Sequence, residues 1–471
     1  MTTPTHQLLF QPTDVLFFRD GRPMEGATSG HGAAWPLPHV LDAALHHALR
    51  RADLGNLHQH RLARNGKKLA EDREELGRTF GALQNAGPFP VTIEKDGSET
   101  WHFPRPLDAQ GSGTATTHRP FLGCGDLFAA SSNELHPVIN TVAPSKEKPT
   151  PWLTRSEFES SLVAKSIENA GNKDSDLFES EHTIGIGIDA STSCTKEGAF
   201  YSASYLRLRP ETRLGLLTHC QDKKAGDVIM QAFKNSGSRT HIMVGGQQRT
   251  GTLTRTTPVS LPLPLGVRDD FPSALVPGSN GPEEKHLVRW ILLTPAIYPE
   301  IEGNAEKGIP VHPGGSLPTW IAPDTKELRL RTRPSRQPGQ SREAWRKEVA
   351  NAPFIAAKLV AALTGKPLPV TGWAATAIHQ ETQRTDSSLA GARSTHLAVP
   401  AGSVYYFACD TANAAQQLAD ALNWHGQAGT TDSIAGSQIR NRRSSLLGEK
   451  GYGLGICAPW HPHSLSQNPQ P

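Results

Sequence analysis

Residues 7–23 read QLLFQPTDVLFFRDGRP. The apolar residues predict a strand that runs to Phe18 and ends in a turn at Asp20-Gly21, because glycine tolerates positive φ in tight turns. Arg19 and Arg22 flank this turn, and a guanidinium group can bind a phosphate or a carboxylate through two parallel hydrogen bonds. Two interpretations stay open: a strand whose tip binds an anion, or a solvated turn in which Asp20 pairs with Arg22.

Downstream of this strand, the apolar pattern alternates between helical and extended periods. A helix is predicted over Pro38–Arg51, where apolar residues recur every 3.6 positions, and a hairpin over Phe89–Phe103, which turns at Asp96-Gly97. The other predicted helices are Asn65–Leu83, Ala225–Lys234, 341–363 and Thr411–Trp424. The other predicted strands are His182–Asp189, Ala199–Leu208, Thr212–Cys220, His241–Gly245, His286–Tyr298, Pro369–His379 and Gly402–Cys409. Gly451–Trp460 is predicted to be a glycine-rich loop that merges with a strand.

Each half of the chain therefore follows the order strand–helix–strand–strand–helix–strand, which is the split βαβ order. We predict an α+β fold of two tandem ferredoxin-like, RRM-like modules with long loop insertions. The first module covers 1–257, with insertions at about 55–85 and 108–180. A linker at 258–285 contains six prolines, which exclude a helix or an interior strand. The second module covers 286–471. Residues 111–176 are predicted to be loops, partly disordered in isolation.

Composition limits the class of protein. The 471 residues carry a formal net charge of only +3, so any basic surface must be local. The five cysteines form no CxxC pair, which argues against a disulfide framework or a zinc knuckle and favours reduced thiols in a cytoplasm. No signal peptide and no uncharged apolar stretch of 18 residues is found. We expect a cytoplasmic chain with no membrane, metal or cofactor.

Two glycine clusters each lie beside a predicted strand. The first is GGQQRTG at Gly245–Gly251, and the second is GYGLG at Gly451–Gly455. A backbone without side chains can approach another chain closely and direct its N–H groups at phosphates. Ordinary turns are the alternative interpretation of both clusters.

Arginines are concentrated in two stretches of the second half. Lys326–Lys347 holds Arg329, Arg331, Arg333, Arg336, Arg342 and Arg346, and a second group precedes GYGLG at Arg440, Arg442 and Arg443. Positions 329, 331 and 333 would share one face of a strand, and that face would repel itself unless an anion covered it. A solvated charged loop is the alternative. Four nearby aromatic residues could stack on bases or belong to the core: Tyr405, Tyr406, Tyr452 and Trp373.

Taken in order, these segments resemble one family, the RAMP-superfamily third subunit of the type III-B CRISPR effector, the Cmr complex. The resemblance is carried by DVLFFRDGRP, WPLPHVLDAAL, HTIGIGID, EGAFYSASYLRL, GKPLPVTGWA, VPAGSVYYF and GYGLG, between about residues 7 and 458. Each match is short, and their order along the chain gives the resemblance its weight.

The resemblance implies a non-catalytic subunit that binds and caps the 5′ repeat-derived tag of crRNA. It would bridge the large polymerase-like signature subunit to the backbone RAMP subunit and meet target RNA only indirectly. We expect both glycine clusters and the arginines to converge on one RNA groove. The expected RNA-binding residues are Arg19, Arg22, Gln248, Arg249, Arg440, Arg442, Arg443, Gly451, Tyr452, Gly453 and Gly455. No catalytic residue is expected.

Two other functions stay open. The first is a RAMP endoribonuclease that processes precursor crRNA, for which His31 with Arg19 is the only pair that could supply acid–base chemistry. The second is a scaffold that binds only proteins. Cleavage of labelled repeat RNA would separate the first from a capping subunit, and crosslinking to the guide would separate the second.

Overall fold

The computed structural model describes most of the chain. The described residues are 5–18, 28–30, 35–52, 54, 83–122, 135–143, 148–163, 165–222, 226–234, 237–256, 261–278, 281–306, 308–334, 336–371, 373–374, 377–378, 385–386, 391–392, 394–428 and 439–463. Three predictions lie outside them: the turn with Arg19 and Arg22, the histidine at His31, and the body of the helix at Asn65–Leu83.

The described secondary structure is a mixed α/β arrangement of mostly antiparallel sheets. The helices are α1 (Pro38–Arg51), α2 (Arg155–Leu162), α3 (Asp174–Leu177), α4 (Val228–Phe233), α5 (Arg342–Asn351) and α6 (Ala412–Leu422). The strands of the first half are β1 (His6–Pro12), β2 (Thr28–Gly30), β3 (Leu83–Ile93), β4 (Glu99–Pro104), β5 (His118–Pro120), β6 (Val138–Asn140), β7 (Trp152–Thr154), β8 (Phe178–Ile188), β9 (Thr195–Leu208), β10 (Thr212–Asp222), β11 (Gly226–Asp227), β12 (Arg239–Met243) and β13 (Thr250–Thr256).

The strands of the second half are β14 (Ser273–Gly278), β15 (Gly281–Leu292), β16 (Ala296–Ile297), β17 (Ala357–Leu363), β18 (Leu368–Val370), β19 (Trp373–Ala374), β20 (Ala377–Ile378), β21 (Thr385–Asp386), β22 (Gly391–Ala392), β23 (His396–Val399), β24 (Val404–Cys409) and β25 (Gly455–Pro459). Two 3₁₀ turns lie at Gly426–Ala428 and Gly448–Lys450.

The main sheet of the first half has the strand order β12-β13-β1-β10-β3-β4-β7, and every neighbouring pair in it is antiparallel. Strand β1 lies inside this sheet, so its residues from His6 to Phe10 are buried on both faces. Its even-numbered residues Leu8 and Phe10 pack with Leu41 and Leu45 of helix α1. Each such side chain stabilises the fold by about 1.5–3 kcal/mol.

The main sheet of the second half has the order β14-β15-β24-β17, with β25 also paired to β15. Helix α6 begins at the N-cap Thr411, whose side chain accepts a hydrogen bond from the Ala414 backbone. Its apolar face, including Leu418 and Leu422, packs with Trp290 and Phe407 of this sheet. Because successive side chains of a strand point to opposite faces of the sheet, the residues next to Trp290 and Phe407 face away from helix α6.

That opposite face forms a core shared by the two halves. Leu9 and Phe89 of the first sheet and Leu287, Ile291 and Tyr406 of the second belong to one buried apolar cluster. The two halves are therefore joined by apolar packing as well as by the chain that connects them.

A buried guanidinium group organises much of the segment predicted as loops at 111–176. The Arg105 side chain donates hydrogen bonds to the backbone oxygens of Gly113, at 2.7 Å, and Ala170, at 2.8 Å. Helix α2 begins at Thr154 with a capping box completed by Glu157, which satisfies two backbone donors at the helix start. The described part of this segment is thus ordered by side chain to backbone hydrogen bonds.

Other boundaries also differ from the sequence prediction. The helix predicted over 341–363 ends at Asn351, because Pro353 cannot continue a helix, and Ala357–Leu363 is the strand β17. Strand β1 ends at Pro12, and Leu16 makes only an isolated bridge to Leu206. Strand β13 begins at Thr250, within the first glycine cluster, and was not predicted. The predicted linker contains β14, an edge strand, which is where a strand tolerates a residue such as Pro277.

A long ribbon of β8 and β9 carries exposed apolar side chains. Ile184, Ile186 and Ile188 of β8 are 52–69% exposed. Among the described helices, none is long and apolar enough to cross a membrane.

Candidate nucleic-acid interface

The first glycine cluster forms a strained, solvent-exposed turn. Gly245 has a φ of +77°, and Gln247 and Gln248 have φ values of +56° and +53°, which non-glycine residues adopt rarely and often at functional sites. Hydrogen bonds from Gly246 N to Phe17 O and from Val244 N to Arg249 O hold the turn, both at 2.8 Å. The backbone N–H groups of Gly245, Gln247 and Gln248 have no acceptor among the described residues.

The turn lies directly on the strand DVLFF. A Cβ atom added at Gly246 would approach the Phe17 ring to 2.7 Å, and one at Gly245 would approach the Phe18 ring to 3.0 Å. The absence of side chains at these two positions permits the close packing. The structure therefore brings the first glycine cluster and the opening strand together, although Arg19 and Arg22 lie outside the described residues.

A tyrosine and an arginine cover the same corner. The Arg249 guanidinium lies 5.0 Å from the centroid of the Tyr205 ring. The Phe17 and Tyr205 ring centroids are 5.5 Å apart, and the two ring planes are tilted relative to each other. The Tyr205 hydroxyl and Arg249 Nη2 both donate to Gln247 Oε1, at 3.1 Å each. With Asp14, which lies 3.9 Å from Arg249 Nη1, these residues are called the turn cluster below.

The described charges around the turn cluster cancel. Arg207 contacts Asp14 at 3.0 Å and Glu181 at 2.7 Å, and Arg249 is the second cation. Two guanidinium groups thus face two carboxylates. The described part of this corner consequently offers backbone donors and aromatic surface to a ligand, with no excess of positive charge.

The second glycine cluster is buried, and this corrects the sequence prediction. Gly451, Tyr452, Gly453 and Gly455 are all buried. Gly451 lies against the Asn85 backbone oxygen, and Gly453 donates its N–H to Pro295 O at 2.8 Å. A Cβ atom at Gly455 would overlap the Trp290 indole ring. Gly451 and Tyr452 pack against the first half of the chain, whereas Gly453 and Gly455 pack inside the second half. None of the four is exposed for the RNA contact predicted from the sequence.

Tyr452 contacts helix α1 and offers no stacking surface. Its hydroxyl lies 2.7 Å from His39 Nδ1, and the two rings are stacked with centroids 6.0 Å apart. Burial, with a contribution from the charge of Lys450, lowers the pKa of His39 to about 4. Tyr405 and Tyr406 are also completely buried, so all three tyrosines belong to the core.

The two glycine clusters do not converge on one groove, and that prediction is wrong. Gly251 pairs with Pro12 at the end of β1. Asn85, which contacts Gly451, pairs with Thr218 of β10, and Thr218 pairs with His6 at the start of β1. Six residues of strand separate the two rows, or about 20 Å at ~3.4 Å per residue. The clusters therefore lie at opposite ends of the first sheet.

The two arginine stretches meet in the second half instead. One cleft is lined by six of these and neighbouring arginines, called the arginine cleft below: Arg268, Arg331, Arg333, Arg336, Arg440 and Arg443. Arg440 is exposed. Arg443 donates Nε to the Ala421 carbonyl at 2.7 Å, in the last turn of α6, and burial lowers the pKa of its guanidinium to about 10. Arg442 does not line the cleft. Burial lowers the pKa of Arg442 to about 10, and the charges of Glu449 and Asp42 partly oppose the shift.

A family model for CRISPR-associated protein (Cas_Cmr3) matches residues 8–460, which is nearly the whole chain. The chain belongs to the Cas_Cmr3 family. The resemblance seen in the order of the sequence segments is confirmed. Comparison with curated proteins gives no match.

Solved structures give remote matches to this Cas_Cmr3 chain. One is a chain in the cryo-EM structure of the type III-B Cmr-beta complex bound to cognate target RNA and AMPPnP. It is 14% identical with a TM-score of 0.36, and the match covers 85% of this chain and 86% of that chain. Another is a chain in the crystal structure of a Csm3–Csm4 subcomplex of the type III-A interference complex. It is 9% identical with a TM-score of 0.30, and the match covers 85% and 92%.

Sequence reasoning missed several residues that build these surfaces in the Cas_Cmr3 chain. Tyr205 joins the turn cluster from strand β9, and Trp345 and Arg268 join the arginine cleft. The sequence does not show that Leu206 of β9 forms a bridge to Leu16, which places the neighbouring Tyr205 beside the turn. In the part of the chain that the structure describes, no group of three or more His, Cys, Asp or Glu side chains could hold a metal ion.

Proposed function

We propose that this chain is a non-catalytic subunit of a type III-B CRISPR (Cmr) complex that binds and caps the 5′ repeat-derived tag of crRNA. The exposed turn at Gly245–Gln248 carries the proposal, because it presents three backbone N–H groups without described protein acceptors beside the Tyr205 ring. Family membership supports the setting in a CRISPR complex.

The chemistry of the turn cluster suits a kinked single strand. Backbone N–H groups and Arg249 bind phosphates and fix the position of the strand. The Tyr205 ring is covered in part by Arg249 and Phe17, and an unstacked base that displaces the Arg249 guanidinium can lie on its π-face. Arg19 and Arg22, which follow Phe18 in the sequence, would supply the positive charge that the described residues lack.

Two tandem ferredoxin-like modules are part of the proposal. In the first half the order β13-β1-β10-β3 places the strand before α1 beside the strand before α4, with antiparallel neighbours throughout. In the second half β25-β15-β24-β17 has the same order, with α6 before the last strand. Both orders agree with a split βαβ unit, and both modules would be RAMP modules.

The proposed partners are the large polymerase-like signature subunit, the backbone RAMP subunit and crRNA, with target RNA met indirectly. The exposed isoleucines of the β8–β9 ribbon, Ile184, Ile186 and Ile188, support a protein contact, since exposed apolar surface of this kind commonly marks an interaction site. We further propose a cytoplasmic location and no catalytic activity of the chain itself.

A crosslink tests the tag assignment. A photoreactive residue at exposed Gln248 in the assembled complex should give an adduct within the 5′ tag of the guide. A photoreactive residue at Asp96, at the exposed tip of the β3–β4 hairpin, is the matched control and should give none. A guide adduct confined to other nucleotides, or no adduct from position 248, would refute the assignment and favour the protein-only scaffold.

Metal-free incubation of the pure chain with labelled repeat RNA tests the remaining alternative. A capping subunit leaves the RNA intact. A specific cut that disappears in His31→Ala would instead establish a RAMP endoribonuclease.

A further inference from the structure

The arginine cleft is a second site that the tag assignment does not use. It encloses about 940 Å³, and its described lining residues all belong to the second half of the chain. Its six arginines face two carboxylates among the described lining residues, Glu348 and Asp420. Four positive charges are therefore in excess, in a chain whose total formal charge is +3.

The arginines are held in place before any ligand arrives. The Arg331 guanidinium lies 4.5 Å from the Phe354 ring centroid and donates to Ala352 O at 2.6 Å. The Arg333 guanidinium lies 5.2 Å from the Trp345 ring. Guanidinium groups stacked on aromatic rings keep free edges for bidentate contacts with an anion.

Internal ion pairing leaves most of this charge uncompensated. Arg268 donates two hydrogen bonds to the Asp420 carboxylate, of 2.6 and 3.1 Å. The charges of these two residues therefore neutralise each other. The charge of Arg333 contributes to the lowered pKa of Arg443, so these two cations repel each other in the cleft. An anion between them would relieve that repulsion.

Neutral amide groups line the same walls. Asn413 and Gln417 line the cleft from helix α6. Two further amides line it but already donate within the protein, Gln416 Nε2 to Asp269 Oδ1 at 2.6 Å and Asn441 Nδ2 to the Asp420 and Asn423 carbonyls. An amide side chain both donates and accepts hydrogen bonds, as a base edge requires. A peptide rich in carboxylates would need donors alone, so the amides favour a nucleic acid over an acidic protein segment.

We propose that the arginine cleft binds a short single-stranded RNA segment, with its phosphates on the arginines and its bases facing the amides. The volume, at the upper end of that of ligand pockets, suits about two or three nucleotides. This segment is separate from the tag at the turn cluster, because none of the described residues lines both sites.

Binding of fluorescent hexauridylate to the full chain tests the proposal. The double variant R333Q/R440Q should weaken binding at least tenfold and reduce the slope of log Kd against log salt by about 1.4, since each lost phosphate contact removes ~0.7 for single strands. R333K/R440K keeps both charges and should restore the slope. Unchanged affinity and slope in R333Q/R440Q would overturn the proposal.

Two controls separate this site from the tag site. A photoreactive residue at Gln417 should crosslink hexauridylate in wild type and in R249Q alike, because Arg249 belongs to the turn cluster. If position 417 gives no adduct while position 248 still gives one, the RNA site in the arginine cleft is refuted and the tag assignment is unaffected. Hexaglutamate that displaces the RNA at lower concentration than unlabelled hexauridylate would also overturn the proposal, in favour of an acidic protein segment.

Discussion

Arg289 on strand β15 donates Nη1 to the carboxylate of Asp108, which belongs to the first half of the chain. The two side chains are 3% and 0% exposed. Tyr406 donates its hydroxyl to the same carboxylate at 3.1 Å, and Arg289 Nη2 donates to Ser161 O at 2.6 Å. This pair is a polar connection through the apolar core that the two halves share.

Loss of this connection should destabilise the whole molecule. Asp108→Asn leaves a buried guanidinium without its counter-charge, which typically costs about 3–5 kcal/mol. Glu181→Gln is the control, because it breaks the exposed pair with Arg207, worth ~0–1 kcal/mol. Urea unfolding measures both. Equal, small losses would mean that the Asp108 site relaxes and admits water.

The GYGLG segment should act on stability rather than on RNA affinity. Gly453→Ala places a Cβ atom on the Ser444 backbone at a φ of +73°. Gly97→Ala has a similar φ of +84° and nothing within 4 Å. Both variants incur ~1–2 kcal/mol of backbone strain, and Gly453→Ala adds about 1–3 kcal/mol of overpacking.

Thermal unfolding and RNA binding distinguish the two roles of this segment. Gly453→Ala should unfold at a clearly lower temperature than Gly97→Ala, while both folded variants bind hexauridylate as the wild type does. Weakened RNA binding by folded Gly453→Ala at unchanged unfolding temperature would restore the RNA contact predicted from the sequence.

The success of sequence reasoning depends on how local each signal is. Helix α1 matches its predicted bounds because the helical spacing of its apolar residues can be recognised from the local sequence alone. The helix predicted to end at residue 363 was too long, since an apolar run of this length is equally compatible with a buried strand, and pairing with β24 decides for β17.

The candidate sites depended on longer-range information. A glycine cluster indicates close backbone approach, and only the tertiary fold decides whether the approaching group is RNA or, as at Gly451, the Asn85 backbone. Arg331, Arg333 and Arg336 lie about a hundred residues before Arg440 and Arg443 in the sequence, and the two groups line one cleft together with residues of α6. Composition predicted a local basic surface without locating it.

Two substitutions in the turn cluster should separate the contribution of base stacking to RNA affinity from the contribution of charge. Tyr205→Ala should weaken binding of the tag RNA by about 1–3 kcal/mol, since it removes a stacking platform, and leave the salt slope unchanged. Arg249→Gln should reduce the slope by ~0.7. Isothermal titration of the assembled complex lacking guide, at several salt concentrations, measures both. A salt slope altered equally by the two substitutions would contradict the assigned roles.

Acid should destabilise the chain through buried histidines. Burial lowers the pKa of His102 and of His425 to about 4, and Glu157 only partly opposes the shift at His102. The unfolded chain, with histidines near 6.5, binds more protons than the folded chain between pH 6.5 and 4, so the free energy of unfolding rises with pH in that window.

The stabilisation is therefore complete above about pH 6.5 and is lost as the pH falls towards 4, by on the order of 3 kcal/mol for each histidine. His102→Gln keeps a donor for Thr92 Oγ1, which lies 3.1 Å from His102 Nε2, and should flatten the dependence. His241→Gln replaces an exposed imidazole and serves as control. Urea unfolding from pH 4.5 to 7.5 measures the slopes, and identical slopes in wild type and His102→Gln would exclude His102 as a source of acid sensitivity.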